Sequence, residues 1–341
     1  MNSIRVAVIG IGAMGSYYAR LLKEMRGVDL VAVCGRSPSP VEKLSQDLHV
    51  VGYADGKYEQ LLADHPGLDA VVIATPDGAH LGPLKASVDA GCNILIEKPL
   101  GVNAQEAAQM VAAAQAGGKL MMVCHHLRFD PRYYALAKLV HQGTIGKVIN
   151  VNARRNPAAT SPQRIKGRVP AAYWVGVHDI DLVHWITGQR AVKVFAKRTG
   201  TSLGALGVDD CVVSTITLQD ESLFTLENSW ATPRTQGKPK SFLMAVRGTE
   251  GVAEVDAYEH GLNVYTAMSA PNPDGDVLYF PVLHGRATGV YRDMMDHFID
   301  CVSTGKIPAV TGADGLAAVR VADAIMHSLE TGNEVTVGWP S

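Results

Sequence analysis

Short apolar runs and helix-patterned stretches alternate through the first third of the chain. Residues 4–9, 30–34, 70–74, 94–96 and 120–123 are apolar apart from Arg5, which predicts strands buried on both faces. Between them, 14–25, 41–48, 80–90 and 104–116 repeat apolar positions at helical spacing, and Gly91, Gly117 and Gly118 stand where a helix end takes a left-handed residue. Strands that alternate with helices in this way predict βαβ units feeding a parallel sheet.

Past residue 124 the rhythm changes. A helix is predicted over 131–141 and a strand over 147–153. The stretch 154–168 carries Arg154, Arg155, Arg164, Lys166 and Arg168 with little apolar periodicity and predicts a loop, either a binding element for an anionic substrate or a solvated surface. A helix over 178–186 precedes alternating runs between 192 and 278, which predict an open, largely antiparallel sheet, with a turn cluster at 271–275. Helices over 290–302 and 315–329 close the chain. The predicted fold class is α/β: an N-terminal Rossmann dinucleotide-binding domain over 1–123, then an α+β domain with a large, mostly antiparallel open sheet over 124–341. The 341 residues are enough for two cores.

Composition narrows the partners. With 47% hydrophobic and 19% charged residues and a formal net charge of -2, the chain offers no electrostatic basis for nucleic acid or acidic membranes. Cys34, Cys92, Cys124, Cys211 and Cys301 are odd in number, scattered and without CxxC spacing, which argues against a disulfide framework and fits a reducing cytoplasm. The chain opens on a strand pattern without a basic leader, and no apolar run approaches a membrane span, so the expected location is cytoplasmic.

Gly10, Gly12 and Gly15 form G-x-G-x-x-G between the first strand and the first helix. The first glycine permits the tight turn, the second lets the backbone approach a pyrophosphate, and the third lets helix and strand pack closely. Ala13 and Met14, at the helix start, belong to the same cradle. About 20 residues on, where a carboxylate selects NAD by its ribose hydroxyl, the chain reads Arg36-Ser37. Either these hold a 2′-phosphate, so that NADP is preferred, or Arg36 stacks on adenine over NAD. Thr75, Pro76 and His80 follow the third main strand, and Glu97-Lys98-Pro99 follows the next, at the sheet's carboxyl edge where open α/β sheets bind ligands.

GIGAMG, ATPDGAH, AGCNILIEKPL, HHLRFDP, GVHDIDLVHW and the closing TGADGLAAVRVADAIMHSLETG, in order from residue 6 to about 337, together resemble the family of glucose-fructose oxidoreductase, inositol dehydrogenase and rhizopine-catabolism protein. The resemblance implies hydride transfer between NAD or NADP and an alcohol or carbonyl of a sugar, cyclitol or glycoside, with the nicotinamide in the cleft between domains. It implies catalytic roles for Lys98 and His178, cofactor-side roles for Thr75, Pro76, His80 and Glu97, and positions near the cleft for His125 and Arg128. It also implies a homodimer or homotetramer joined through the C-terminal sheet.

One position departs from the family's pattern: Trp174 stands four residues before His178, where many members keep an aspartate. An indole there suits the C–H face of a sugar ring, or else belongs to the core. Arg155 and Asp181 are further substrate-side candidates, Asp181 as an orienter of His178 or as a helix-pairing group. Trp185 reads as a core residue. Cys124, His125, His126, His178 and His184 lack paired-ligand spacing, so no metal is expected. The other readings on this fold are a non-catalytic, sugar-sensing nucleotide binder and a reductase of imines or aldehydes.

Overall fold

The computed structural model describes residues 3–165, 167–200, 202–231, 241–257 and 276–339, without the side chain of Arg164. Lys166 and the turn cluster at 271–275 lie outside the described residues. The chain divides into two compact units, residues 1–126 with 280–316, and residues 127–279 with 317–341.

In the first unit, β1 (Ile4–Ile9), β2 (Val28–Cys34), β3 (Val51–Tyr53), β4 (Ala70–Ile73), β5 (Asn93–Ile96) and β6 (Met121–Val123) form one parallel sheet in the order β3-β2-β1-β4-β5-β6. That is the Rossmann order, and the chain reverses direction across the sheet between β1 and β4. In the middle of the sheet, residues 6–9 of β1 and all of β4 are apolar on both faces and buried, as a parallel sheet between two helical layers requires. Its helices are α1 (Ala13–Lys23), α2 (Pro38–Leu48), α3 (Tyr58–Asp64), α4 (Leu81–Asp89) and α5 (Ala104–Ala116). Pro38 opens α2 with a preset φ, and Asn103 caps α5 by accepting from Glu106 N.

In the second unit, α6 (Pro131–His141), β7 (Val148–Asn156), α7 (Ser161–Arg164), a π-helical turn (Ala172–Gly176) and α8 (Val177–Thr187) precede β8 (Ala191–Thr199), β9 (Cys211–Leu218), β10 (Leu223–Ser229), β11 (Ser241–Gly248) and β12 (Val252–Asp256). The hairpin of β13 (Val282–Leu283) and β14 (Arg286–Ala287) and helix α9 (Val290–Thr304) belong to the first unit. α10 (Gly312–Thr331) and β15 (Val335–Thr336) end the fold. The large sheet runs β12-β11-β7-β10-β9-β8-β15, antiparallel throughout except for the parallel pair β7 and β10.

Two expectations are corrected. The segment from Arg154 does not begin a loop: Arg154, Arg155 and Asn156 extend β7 and pair with Leu243, Phe242 and Ser241 of β11. Both arginines are paired, Arg154 on the exposed side by Glu227 at 3.2 Å across the strands and Arg155 by a buried partner described below. Trp185 is half-buried rather than core, and carries the Arg128 guanidinium 5.7 Å above its ring.

Candidate functional site

The glycine turn in the first unit has the backbone sterics that its spacing predicts. Gly10 has φ +94°, and a Cβ there would lie 2.5 Å from the Ala74 backbone. A Cβ on Gly15 would sit 1.7 Å from the Gly10 carbonyl oxygen, so helix α1 can meet the β1 turn only without a side chain. Gly12 is the opposite case: its Cβ would meet no atom within 4 Å, and Gly12 and Ala13 are exposed while Met14 is half-buried. The first turn of α1 holds no acidic residue. An open backbone approach at a helix N-terminus, without a competing carboxylate, fits a dinucleotide pyrophosphate. Arg36 and Ser37 are exposed just beyond β2, with Ser37 as N-cap of α2 making no side-chain capping bond.

At the ends of β4 and β5, Thr75 is half-buried and donates through Oγ1 to Ala79 O at 2.9 Å, and Pro76 is exposed. His80 is fully buried. Its Nε2 lies 3.0 Å from Thr75 O and its Nδ1 3.4 Å from Leu100 O, so it braces the two turns against each other and presents no surface to a ligand. Glu97 accepts from Tyr18 Oη at 2.5 Å and from the backbone N of Lys98 at 3.1 Å. Lys98 is half-buried and is followed by a cis bond to Pro99. Burial pushes the Glu97 carboxyl up, against the Lys98 charge and the Tyr18 hydrogen bond. Burial, with Glu97 beside it, holds the Cys124 thiol well above its ordinary value and therefore unreactive.

Sequence reasoning missed Tyr18 and the ring cluster near it. His126 stacks on Tyr291 at 4.5 Å, Tyr291 stacks on Phe280 at 4.6 Å, and Tyr17 meets Phe280 edge-on at 5.1 Å. His125 is buried beside this cluster in the chain.

In the second unit, His178 sits in the first turn of α8 and is buried. The two acidic residues that follow it, Asp179 and Asp181, are both engaged. Asp179 accepts from Arg155 Nε and Nη2, each at 2.7 Å, and Arg155 Nη2 also reaches Tyr133 Oη at 3.2 Å. Burial alone would push the Arg155 guanidinium toward neutrality, but Asp179 and Tyr133 outweigh it and raise its pKa. Asp181 accepts from Arg128 Nε at 2.9 Å and Nη2 at 2.6 Å. Arg128, Arg155 and Asp181, all substrate-side candidates in sequence, are thus joined in two buried bidentate pairs that hold α8. Trp174 lies in the π-turn, half-buried, its ring 5.1 Å from that of the fully buried Trp230. His184 Nε2 accepts from Ala191 N at 3.2 Å. Among the described residues, no three His, Cys, Asp or Glu side chains gather as a metal site, and no helix is long and apolar enough to cross a membrane.

A glycine cradle at the reversal point of a Rossmann-ordered sheet, followed in the same chain by a large mixed sheet, defines a dinucleotide-dependent oxidoreductase of two-domain type. The chain belongs to the Gfo/Idh/MocA oxidoreductase family: residues 4–125 match its NAD-binding Rossmann fold and residues 137–337 its C-terminal alpha/beta domain. It is similar to scyllo-inositol 2-dehydrogenase (NAD(+)) of Bacillus subtilis, 26% identical over 339 residues, covering 98% of this chain and 96% of the relative. Inositol 2-dehydrogenase of Salmonella typhimurium is 28% identical over 353 residues, covering 99% and 98%. The fold is shared with scyllo-inositol dehydrogenase from Lactobacillus casei with bound NAD(H) and scyllo-inositol, at TM-score 0.80 and 19% identity over 98% of this chain and 99% of that one.

The raised pKa of Glu97 has a sign that can be measured. Its folded value lies above its unfolded one, so its contribution to stability is full below the unfolded pKa and is lost as pH rises through the folded pKa. Glu97→Gln keeps an acceptor for Tyr18 and does not titrate. The melting temperature of the variant, relative to the parent, should climb across the pH range above the ordinary carboxylate pKa of about 4. A difference that stays flat across that range contradicts the assignment.

Proposed function

We propose that the protein moves a hydride between a nicotinamide dinucleotide and a secondary alcohol, or the matching ketone, of an uncharged polyhydroxylated ring: a cyclitol, sugar or glycoside. One observation carries the choice of an uncharged ring. Both buried arginines next to the His178 helix are neutralised by its own aspartates, so neither is left to receive a phosphate or carboxylate. The relatives named above, dehydrogenases of inositols by name, point the same way.

In this reading Gly10, Gly12, Ala13, Met14 and Gly15 hold the pyrophosphate, and Thr75, Pro76 and Glu97 shape the nicotinamide side. The bound cofactor supplies the hydride acceptor or donor. Lys98 and His178 take and return the hydroxyl proton, which must leave the alcohol oxygen as its carbon is oxidised. Trp174 offers an apolar face to ring C–H groups, His125 borders the same chemistry, and His80, Arg128, Arg155 and Asp181 hold the parts in place. The protein works in the cytoplasm, where its five free thiols stay reduced.

Turnover tests the proposal. With both oxidised cofactors and a panel of neutral cyclitols, sugars and glycosides, reduced nicotinamide should accumulate, and acidic or phosphorylated counterparts should be poorer substrates. Lys98→Ala and His178→Ala should each lose at least about a hundredfold in turnover while still binding cofactor. Preference for a charged ring, or near-parental turnover in both variants, sinks this assignment.

The cofactor form is a separate proposal. No carboxylate ends β2, and Arg36 and Ser37 stand exposed there, so NADP(H) should bind more tightly than NAD(H) by on the order of tenfold, for one charge-assisted phosphate contact. The Bacillus relative uses NAD(+) by name, so titrations with both cofactors are needed. Equal or tighter NAD(H) binding that Arg36→Ala leaves unchanged rejects the preference.

One face of the large sheet is packed by α6 and α8. The other presents Phe195, Val213, Leu223 and Val252, all exposed, and no described helix covers it. We propose that this face joins copies of the chain into a homodimer or homotetramer. Val213→Lys with Leu223→Lys should shift the mass by light scattering toward the monomer, with little change in monomer secondary structure. An unchanged oligomer mass places the interface elsewhere.

A further inference from the structure

The turn that delivers Trp174 and His178 is wound as a π-helix over Ala172–Gly176 and runs without interruption into α8. Such wide turns are rare, and they persist where neighbouring groups hold them. Downstream, α8 is fixed by the Arg155 and Arg128 pairs. Upstream, Gly176 lies so close to β10 that a Cβ would stand 2.6 Å from Asn228 Oδ1. Within the turn itself, the Trp174 ring packs on Trp230, and a second side chain adds a hold of its own. Tyr173 is buried, and its hydroxyl donates to Asp323 Oδ1 of α10 at 2.5 Å.

We propose that Tyr173, anchored by Asp323, is a positioning residue that fixes Trp174 relative to His178. The inference rests on the substrate-side reading of those two residues. If the anchor is lost, the wide turn can relax toward ordinary α winding. Because α8 is clamped on its far side, that relaxation rotates Trp174 about the helix axis and leaves His178 where it was. The ring face and the proton carrier would then no longer address the same substrate geometry.

Tyr173→Phe removes only the donor, Asp323→Ala only the acceptor, and Asp323→Asn keeps an acceptor oxygen. Kinetics and near-ultraviolet circular dichroism, which reports the closely spaced Trp174 and Trp230 rings, are measured on all three, on the Tyr173→Phe/Asp323→Ala double variant, and on His178→Ala and Trp174→Ala. Tyr173→Phe and Asp323→Ala should each raise the substrate KM by on the order of tenfold, leave cofactor Kd unchanged and alter the indole signal. The double variant should be no worse than either single one, and Asp323→Asn should stay close to the parent. Unchanged KM and indole signal in Tyr173→Phe, or additive losses in the double variant, overturn the proposal. If Tyr173→Phe does not fold, the contrast between Asp323→Asn and Asp323→Ala decides, and equal behaviour of those two also overturns it. Parental kinetics in both His178→Ala and Trp174→Ala would instead refute the substrate-side reading, while the indole signal still reports whether Tyr173 holds the turn.

Discussion

Taking the carboxylates of Asp179 and Asp181 out of water costs several kcal/mol each unless cations meet them with good geometry. Much of the second unit follows from that requirement. Arg155 must point inward from β7, so β7 carries charged residues through to Asn156 instead of fraying into a loop, and this extends its pairing with β11. Arg128 must lie beside α8, where Trp185 covers its guanidinium. Replacing either pair by apolar residues of the same size need not destabilise the protein, whereas removing one partner leaves a buried charge. The pairs therefore fix the placement and direction of α8 more than they add to stability.

The first unit solves a related problem with one carboxyl. Glu97 at the end of β5 accepts from Tyr18 on α1 and from the backbone N of Lys98. One group thus ties the helix whose N-terminus fits a pyrophosphate to the turn that carries the lysine. Tyr18 lies five residues beyond Ala13, so any shift of α1 that changes the cradle also moves the donor of that bond. The glycines allow the close approach, and Glu97 sets its position.

What the sequence revealed depended on how local each signal was. The Rossmann strands, the glycine turn and the two late helices rest on periodicity or on backbone sterics, and both are written over a few consecutive residues. Arg155 read as part of a loop because a buried cation in a strand is intelligible only once its distant partner, Asp179, is known, and exposed Arg154 likewise meets Glu227 from another strand. Trp185 read as core for the same reason, since Arg128 above it belongs to another element. β3 is three residues long with two of them exposed, too short for an alternation to register. Tyr18, Tyr173 and Asp323 carry no motif. Their significance comes entirely from contacts across 79 and 150 residues.

An interior whose charges are already matched also constrains specificity. With Arg128 and Arg155 satisfied, neither offers Coulombic attraction to a ring, and on the proposed reading discrimination among rings rests on shape and hydroxyl pairing. A site built from hydrogen-bonding groups rejects an analogue lacking the right hydroxyl far more strongly than an apolar pocket rejects a missing methylene, because its own polar groups are left unpaired. Rings that differ only in the configuration of one hydroxyl are separable by that mechanism, provided the groups that read them are rigid. The paired aspartates, the glycine contact with Asn228 and the Tyr173 anchor all act on one short stretch of chain, and they supply that rigidity where His178 and Trp174 are presented.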